Sequence, residues 1–234
     1  MADELVGVLE QLGIRNAFGV TGGAIGTLFS RLNLSKMINV FHCQHEGGAA
    51  FLAMGRGIAT RRKEIPLCFS TSGPGITNLA TGVAAAYAER IPMLIVTGNS
   101  STATLGKNAL QDSFHTGINA VKMFESITAR SVEVLDAHRL IPTVIELLEI
   151  ARAECKPVHL NLPTDIANSL SQDSRARHEV IGIRKWEGAQ RGLDPVAREG
   201  IGRFLASERP IFFVGNGLKL SGLAGTFLET LRKN

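Results

Sequence analysis

Apolar positions recur along this chain in two alternating rhythms. Leu5, Val8, Leu9 and Leu12 repeat at helical spacing and predict a helix from Ala2 to Leu12. Short runs suited to strands follow at Ala17 to Val20, Ile38 to Phe41, Leu67 to Ser70, Met93 to Thr97 and Val158 to Leu162. Helical patterns fill the gaps between them, most clearly over Gly47 to Thr60, Ile76 to Glu89 and Arg139 to Ala153. Met93-Leu94-Ile95-Val96 is apolar without alternation, as expected of a strand covered on both faces. Strands alternating with helices predict an α/β fold, a parallel sheet with helices on both faces. Ligands in such sheets bind beyond the carboxyl ends of the strands, which is where Gly22-Gly23, Glu46 and Thr71-Ser72-Gly73 fall.

The rhythm breaks after Asp165. A polar stretch rich in Ser and Arg begins at Asn168, and residues 168–184 are expected to form a linker after a first domain at 1–167. Helical pattern returns near Val196 to Ala206, Arg209 to Gly217 reads as a buried strand entering a glycine turn, and Leu223 to Leu231 reads as a helix. One strand and two helices cannot bury enough apolar surface for a self-sufficient α/β domain. Residues 185–234 are therefore expected to be the truncated opening of a second α/β domain.

Length and charge narrow the picture further. The 234 residues, 44% of them hydrophobic, suffice for one large domain and part of another. The net charge of +4 is slight, and the basic cluster Arg61-Arg62-Lys63 is interrupted at once by Glu64, so it reads as a solvated helix end. No stripe of Lys and Arg interleaved with aromatics points to nucleic acid. No apolar run is long enough to span a bilayer, and the N-terminus opens on an amphipathic pattern, so neither membrane anchor nor signal peptide is expected. Three well-separated cysteines without metal-ligand spacing fit a reducing compartment, the cytoplasm by default.

The chemistry concentrates at Glu46. It stands where an extended segment turns into a helix rich in Gly and Ala, among Gly47, Gly48, Ala49 and Ala50, so a flat ligand could approach the backbone closely. A carboxyl group that loses part of its hydration there suits proton exchange with a heterocycle. An acidic residue supporting the first turn of a helix accounts for the same position. Three other motifs fail on their residues. Gly73-Pro74-Gly75-Ile76-Thr77-Asn78 has Asn78 where a dinucleotide fingerprint has its third glycine, and Thr97-Gly98 ends the next strand in place of an acid. His45-Glu46 has Ala49 where a zinc-protease helix needs its second histidine. Ser72 and Ser113 lack a nucleophile-elbow context.

Taken in order, Phe18-Gly19-Val20-Thr21-Gly22-Gly23, His45-Glu46, Thr71-Ser72-Gly73-Pro74-Gly75-Ile76-Thr77-Asn78, Pro92 to Gly98, Leu110-Gln111-Asp112 and Pro157 to Asp165 resemble the pyrimidine-binding domain of thiamine-diphosphate enzymes of the acetolactate synthase and pyruvate decarboxylase group. The resemblance covers about the first 165 positions. It implies that Glu46 hydrogen-bonds the ring nitrogen of thiamine's aminopyrimidine, and that Gly22, Gly23, Thr71, Ser72, Gly73, Pro74 and Gly75 shape the pyrimidine pocket. Asn78 and Gln111 match positions facing the reaction side. Gln111, in a Leu-Gln-Asp element where decarboxylases often carry paired histidines, favours a carboligating synthase over a simple 2-oxo-acid decarboxylase. His115 stands nearby as a proton-transfer candidate or a loop histidine bonded to backbone. Thr21 departs from the proline many relatives have there.

The resemblance also implies what the chain would need. Relatives hold the diphosphate through magnesium on a Gly-Asp-Gly element, and this sequence has none; Gly215-Asn216-Gly217 lacks the acidic ligand. No metal ligand is assigned here, FAD is left open, and the chain alone is expected to be inactive. The expected partners are a small 2-oxo acid, further copies in a dimer or tetramer, and possible completion by a separate chain that carries the magnesium site. An inactive fragment keeping only an assembly surface is the other reading.

Overall fold

The computed structural model describes residues 1–170, 196, 199–200, 202–203 and 211–233. The chain divides into two units, Met1–Ile183 and Arg184–Asn234. In the first, α1 (Ala2–Gln11), β1 (Asn16–Gly19), α2 (Gly26–Leu34), β2 (Asn39–His42), α3 (Glu46–Ala59), β3 (Leu67–Ser70), α4 (Pro74–Ala88) and β4 (Leu94–Asn99) follow in order. A 3-10 turn at Thr102–Thr104, α5 (Ala120–Glu125), β5 (Arg130–Glu133), α6 (Ala137–Glu154), β6 (Val158–Pro163) and α7 (Thr164–Asn168) complete it. Six strands pair in the order β2-β1-β3-β4-β6-β5, all parallel.

Alternation along the central strands sorts the two faces. Leu67, Phe69, Leu94, Val96, Val158, Leu160 and Leu162 join the apolar side chains of α1, α2 and α6 in one core. The intervening residues Cys68, Ser70, Ile95, Thr97, His159 and Asn161 are equally buried on the opposite face. On that face α3 packs against β1 and β3, and α5 against β5 and β6. Full burial on both faces explains why β3, β4 and β6 read as continuous runs rather than alternating ones.

The expected α/β sheet is present, with three short helices (α2, α5 and α7) and one strand beyond those placed from the hydrophobic rhythm. β5 is a short edge strand, exposed at Arg130 and half-buried beyond it, with too few apolar residues to register as a strand. α2 buries only Leu28 and Leu32, and α5 only Ala120 and Phe124.

The second unit contains α8 (Asn216–Ser221) and α9 (Ala224–Lys233) among its described residues. The strand expected from Arg209 to Gly217 is not formed where the chain is described. Residues 211–215 carry no strand conformation there, Phe213 is 98% exposed, and Asn216 already begins a helix. An apolar run becomes a strand only when a neighbouring strand takes its backbone hydrogen bonds, so apolar content alone does not make one. The helix expected over Val196 to Ala206 is helical at residues 196, 199–200 and 202–203 and otherwise lies outside the described residues, as does most of the expected linker.

Candidate functional site

The chain reverses direction across the sheet between β1 and β3, because β2 lies on one side of β1 and β3 on the other. That switch point brings the carboxyl ends of β1, β2 and β3 together, and the segments after them carry Gly22, Glu46 and Ser70 to Gly75. Glu46 is the first residue of α3 and is buried. The imidazole Nδ1 of His45 caps that helix by accepting the Gly47 N–H at 3.0 Å. The carboxylate therefore sits at the positive end of a fourteen-residue helix.

Two neighbours fix its orientation. Asn78, one turn into α4, donates its Nδ2 to Glu46 Oε2 at 3.0 Å. The other oxygen, Oε1, lies 3.3 Å from where a Cβ on Gly75 would stand, and that Cβ would also meet Thr71 at 3.2 Å. Gly22 stands closer still: a Cβ there would fall 2.5 Å from Thr71 Cβ. The glycines thus leave a cradle beside the carboxylate which any larger residue would fill.

Gly73 needs its lack of a side chain for a second reason. It precedes α4 with φ 64° and ψ −119°, a backbone conformation open in practice to glycine alone, and Pro74 follows at the first helical position. Its N–H donates to Ser113 Oγ at 3.1 Å, and a Cβ on it would collide with Gln111 Cβ at 2.9 Å. Gln111 itself has φ 57°, strained for a non-glycine residue, and accepts the Ser72 hydroxyl on Oε1 at 3.3 Å. The loop after β4 is therefore latched onto the loop after β3.

The structure brings together Glu46, Asn78, Gly75, Thr71 and Gly22, and beside them Ser72, Gly73 and Gln111. Gly23 and Pro74 are exposed, and no atom lies within 4 Å of where a Gly23 Cβ would stand. Asn78 spends its amide on Glu46 rather than standing with Gln111. His115 is exposed on the same loop as Gln111. A surface cleft of about 410 Å³ lined by Asp3, Glu4, Glu10, Arg15 and Met37 lies on α1 and shares no residue with this cluster.

Sequence reasoning missed the polar layer beneath the loop. Asn99 Oδ1 accepts the N–H of Ser113 at 3.1 Å, and Asn161 Nδ2 donates to Glu133 Oε1 at 2.7 Å. Burial pushes the Glu133 carboxyl above the usual carboxylate range, against the hydrogen bonds from Asn161 and Asn99. Burial holds the His159 imidazole down to about 3. The available signal was polar residues at every second position of strands otherwise buried, such as His159 and Asn161 within Val158-His159-Leu160-Asn161-Leu162.

Residues 1–123 match the family described as "Thiamine pyrophosphate enzyme, N-terminal TPP binding domain". The chain is 29% identical to the probable acetolactate synthase large subunit of Methanocaldococcus jannaschii over 97% of its own length and 38% of that protein. It is 27% identical to acetolactate synthase isozyme 3 large subunit of Escherichia coli K12, covering 98% of this chain and 39% of the relative. It is 31% identical to the chloroplastic acetolactate synthase of Arabidopsis thaliana, covering 97% and 33%. The chain thus spans little more than a third of the length of these relatives.

Proposed function

Because the chain belongs to the thiamine pyrophosphate enzymes, through their N-terminal TPP binding domain, we propose that it provides the pyrimidine-binding half of a thiamine-diphosphate site in a 2-oxo-acid enzyme of the acetolactate synthase kind. The observation that carries this reading is the Glu46 carboxylate, held by Asn78 on one oxygen and open over Gly75 on the other. The residues present fit a flat heterocycle: a carboxylate at one edge, and glycines where side chains would obstruct its faces.

When bound, thiamine diphosphate would supply an acidic ring carbon whose carbanion is a nucleophile toward the carbonyl of a 2-oxo acid. The chain's own part is to hold and move a proton. Glu46 shares one with a ring nitrogen of the pyrimidine, and the Asn78 amide keeps the carboxylate turned toward that nitrogen. Thr71 and Gly75 set how near the backbone comes. Gln111, latched to Ser72 and Gly73, offers a carboxamide that orients an acceptor carbonyl, which supports carboligation over simple decarboxylation. Magnesium and the diphosphate would be held by residues other than these. Free thiols at Cys43, Cys68 and Cys155 support the cytoplasm as the place of work, and assembly with further copies of the chain belongs to the same reading.

The test is made on the complete protein carrying cofactor and magnesium. Glu46→Gln is expected to slow exchange of the thiazolium ring proton by about 10² to 10⁴. An unchanged exchange rate would remove Glu46 from the chemistry. Gln111→Ala is expected to leave that exchange nearly intact and to shift the ratio of ligated product to released aldehyde; equal loss of both would leave the synthase preference without its residue.

A further inference from the structure

Strands β4, β5 and β6 carry polar residues at alternate positions on one face: Thr97 and Asn99, Ser131 and Glu133, His159 and Asn161. The parallel register sets Thr97 and Glu133 on either side of Asn161, and Ser131 beside His159. Six polar side chains therefore lie together on this face.

Their hydrogen bonds run in one direction. A neutral imidazole has one donor and one acceptor. With the proton on Nε2, the Ser131 hydroxyl donates to His159 Nδ1 at 2.7 Å and Nε2 donates to Thr97 Oγ1 at 2.8 Å. Thr97 then donates to Asn161 Oδ1 at 3.0 Å, and Asn161 Nδ2 donates to Glu133 Oε1 at 2.7 Å. The other tautomer would take Thr97's single proton away from Asn161. What it would gain is a bond from Ser131 to the Val121 carbonyl at 2.8 Å, a group inside α5 with the helix's own N–H to accept. The chain of donors thus ends on Glu133.

From Glu133 the contacts lead to the candidate site. Asn99 Nδ2 donates to Glu133 Oε1 at 3.3 Å while Asn99 Oδ1 accepts the Ser113 N–H, and Asn161 Nδ2 also reaches the Ser113 carbonyl at 3.4 Å. Ser113 Oγ in turn accepts the Gly73 N–H and donates to the Gln111 carbonyl at 3.0 Å. Two titratable groups of the loop, His115 and Asp112, act on the Glu133 carboxyl in opposite directions, His115 lowering and Asp112 raising its pKa.

We propose that Glu133 is a positioning residue: its carboxylate fixes the carboxamides of Asn99 and Asn161, these clamp Ser113, and Ser113 sets where Gly73 and Gln111 stand beside Glu46. The importance of Gln111 to the reaction rests on the functional reading above. The clamp does not, and it can be measured without turnover.

The experiment is residue-resolved amide exchange on the 234-residue chain. Glu133→Ala is expected to speed exchange at Ser113 and Gly73 by roughly tenfold or more, relative to amides in the middle of α1. Glu133→Gln keeps an oxygen that accepts the same two bonds, so both amides are expected to stay within about threefold of the parent. Exchange unchanged in Glu133→Ala, or as fast in Glu133→Gln as in Glu133→Ala, overturns the proposal. Should Glu133→Ala fail to fold, Asn99→Ala cuts the link to Ser113 and spares the carboxylate; it is expected to speed the same two amides, and unchanged exchange there overturns the proposal equally. In the complete protein, Glu133→Ala is expected to shift product partition in the same sense as Gln111→Ala, with Glu133→Gln restoring it. If the amides respond and Gln111→Ala leaves partition unmoved, the clamp stands and the catalytic reading of Gln111 falls.

Discussion

Glu46 is oriented by a single amide and by the space over a glycine, so small changes around it separate function from stability. Gly75→Ala adds a methyl group that meets Thr71 at 3.2 Å and the carboxylate at 3.3 Å, tighter than ordinary contact. Gly-to-Ala exchange in a helix is itself favourable by up to about 1 kcal/mol. Chemical unfolding of Gly75→Ala is therefore expected to stay within about 1 kcal/mol of the parent, while thiazolium proton exchange in the complete protein falls; loss of stability with exchange intact would reverse the assignment. Glu64 is the opposite case, buried and structural. Its carboxylate accepts from Asn16 Nδ2 at 2.6 Å and Arg56 Nε at 2.7 Å, so Glu64→Ala strands a buried amide and is expected to cost about 1 to 3 kcal/mol in urea unfolding. His159 adds a dependence on pH. Its imidazole is held at about 3 by burial, below the unfolded value of about 6.5, so between these limits the unfolded chain binds the extra proton. The stability this residue provides is complete above the unfolded value and falls as pH drops, by up to about 1.4 kcal/mol per pH unit. Unfolding free energies at pH 7 and pH 5 are expected to differ more in the parent than in His159→Gln; an equal difference in both would mean that the ring is protonated, or solvated, in the fold.

Helix α3 and helix α4 meet through small residues, and that contact decides how near the two halves of the candidate site can come. A Cβ on Gly82 would fall 2.5 Å from Ala50 Cβ and 3.2 Å from the Phe51 nitrogen. Gly82→Ala must push the helices apart, carrying Asn78 away from Glu46; a loss of about 1 to 3 kcal/mol and a lower melting temperature are expected. A melting temperature equal to the parent's would show that the helices can slide. The Gly and Ala residues from Gly47 to Ala53 and from Ala80 to Ala88, which in the sequence suit either a subunit contact or an internal one, thus serve the internal one at Ala50 and Gly82. Elements with many buried apolar positions were legible: α1, β3, β4, α6 and β6 lie within a residue or two of their predicted limits. β5 was not, because Arg130-Ser131-Val132-Glu133 owes its strand conformation to the register with β6 and not to its own composition. The site divides in the same way. Glu46 and the glycine turn were visible as local motifs, whereas Asn99, Ser113 and Glu133 are brought together by strand order across the sheet, which no local pattern encodes. Ile211 to Val214 misled for a related reason: apolar content marks surface that favours burial, and does not by itself fix the backbone as a strand.

At the scale of the whole molecule, one face of α3 is apolar and open. Gly48, Phe51, Leu52, Gly55, Ile58 and Ala59 recur at helical spacing and are all exposed, Phe51 at 48% and Leu52 at 54%. Phe41, exposed on the edge strand β2, adds a further apolar side chain. Apolar side chains gathered on one helix face are a common mark of an association surface. This helix also begins with Glu46, so whatever covers its face stands close to the carboxylate. A second copy is the occupant the functional reading favours, since association would exclude water from the end of α3 that carries Glu46. The charge pattern agrees, because Arg56 is drawn back onto Glu64 rather than standing across the stripe. Sedimentation at micromolar concentrations is expected to show concentration-dependent association of the chain. Leu52→Glu, which places a charge in the stripe without touching the α3 and α4 contact, is expected to yield a monomer with unchanged melting temperature and an unchanged pattern of Gly73 and Ser113 amide exchange. A parent chain that sediments as a monomer over the whole range would remove the stable homo-oligomer. Association that persists undiminished in Leu52→Glu would move the contact to another surface, and the proximity of Glu46 would then explain nothing about assembly.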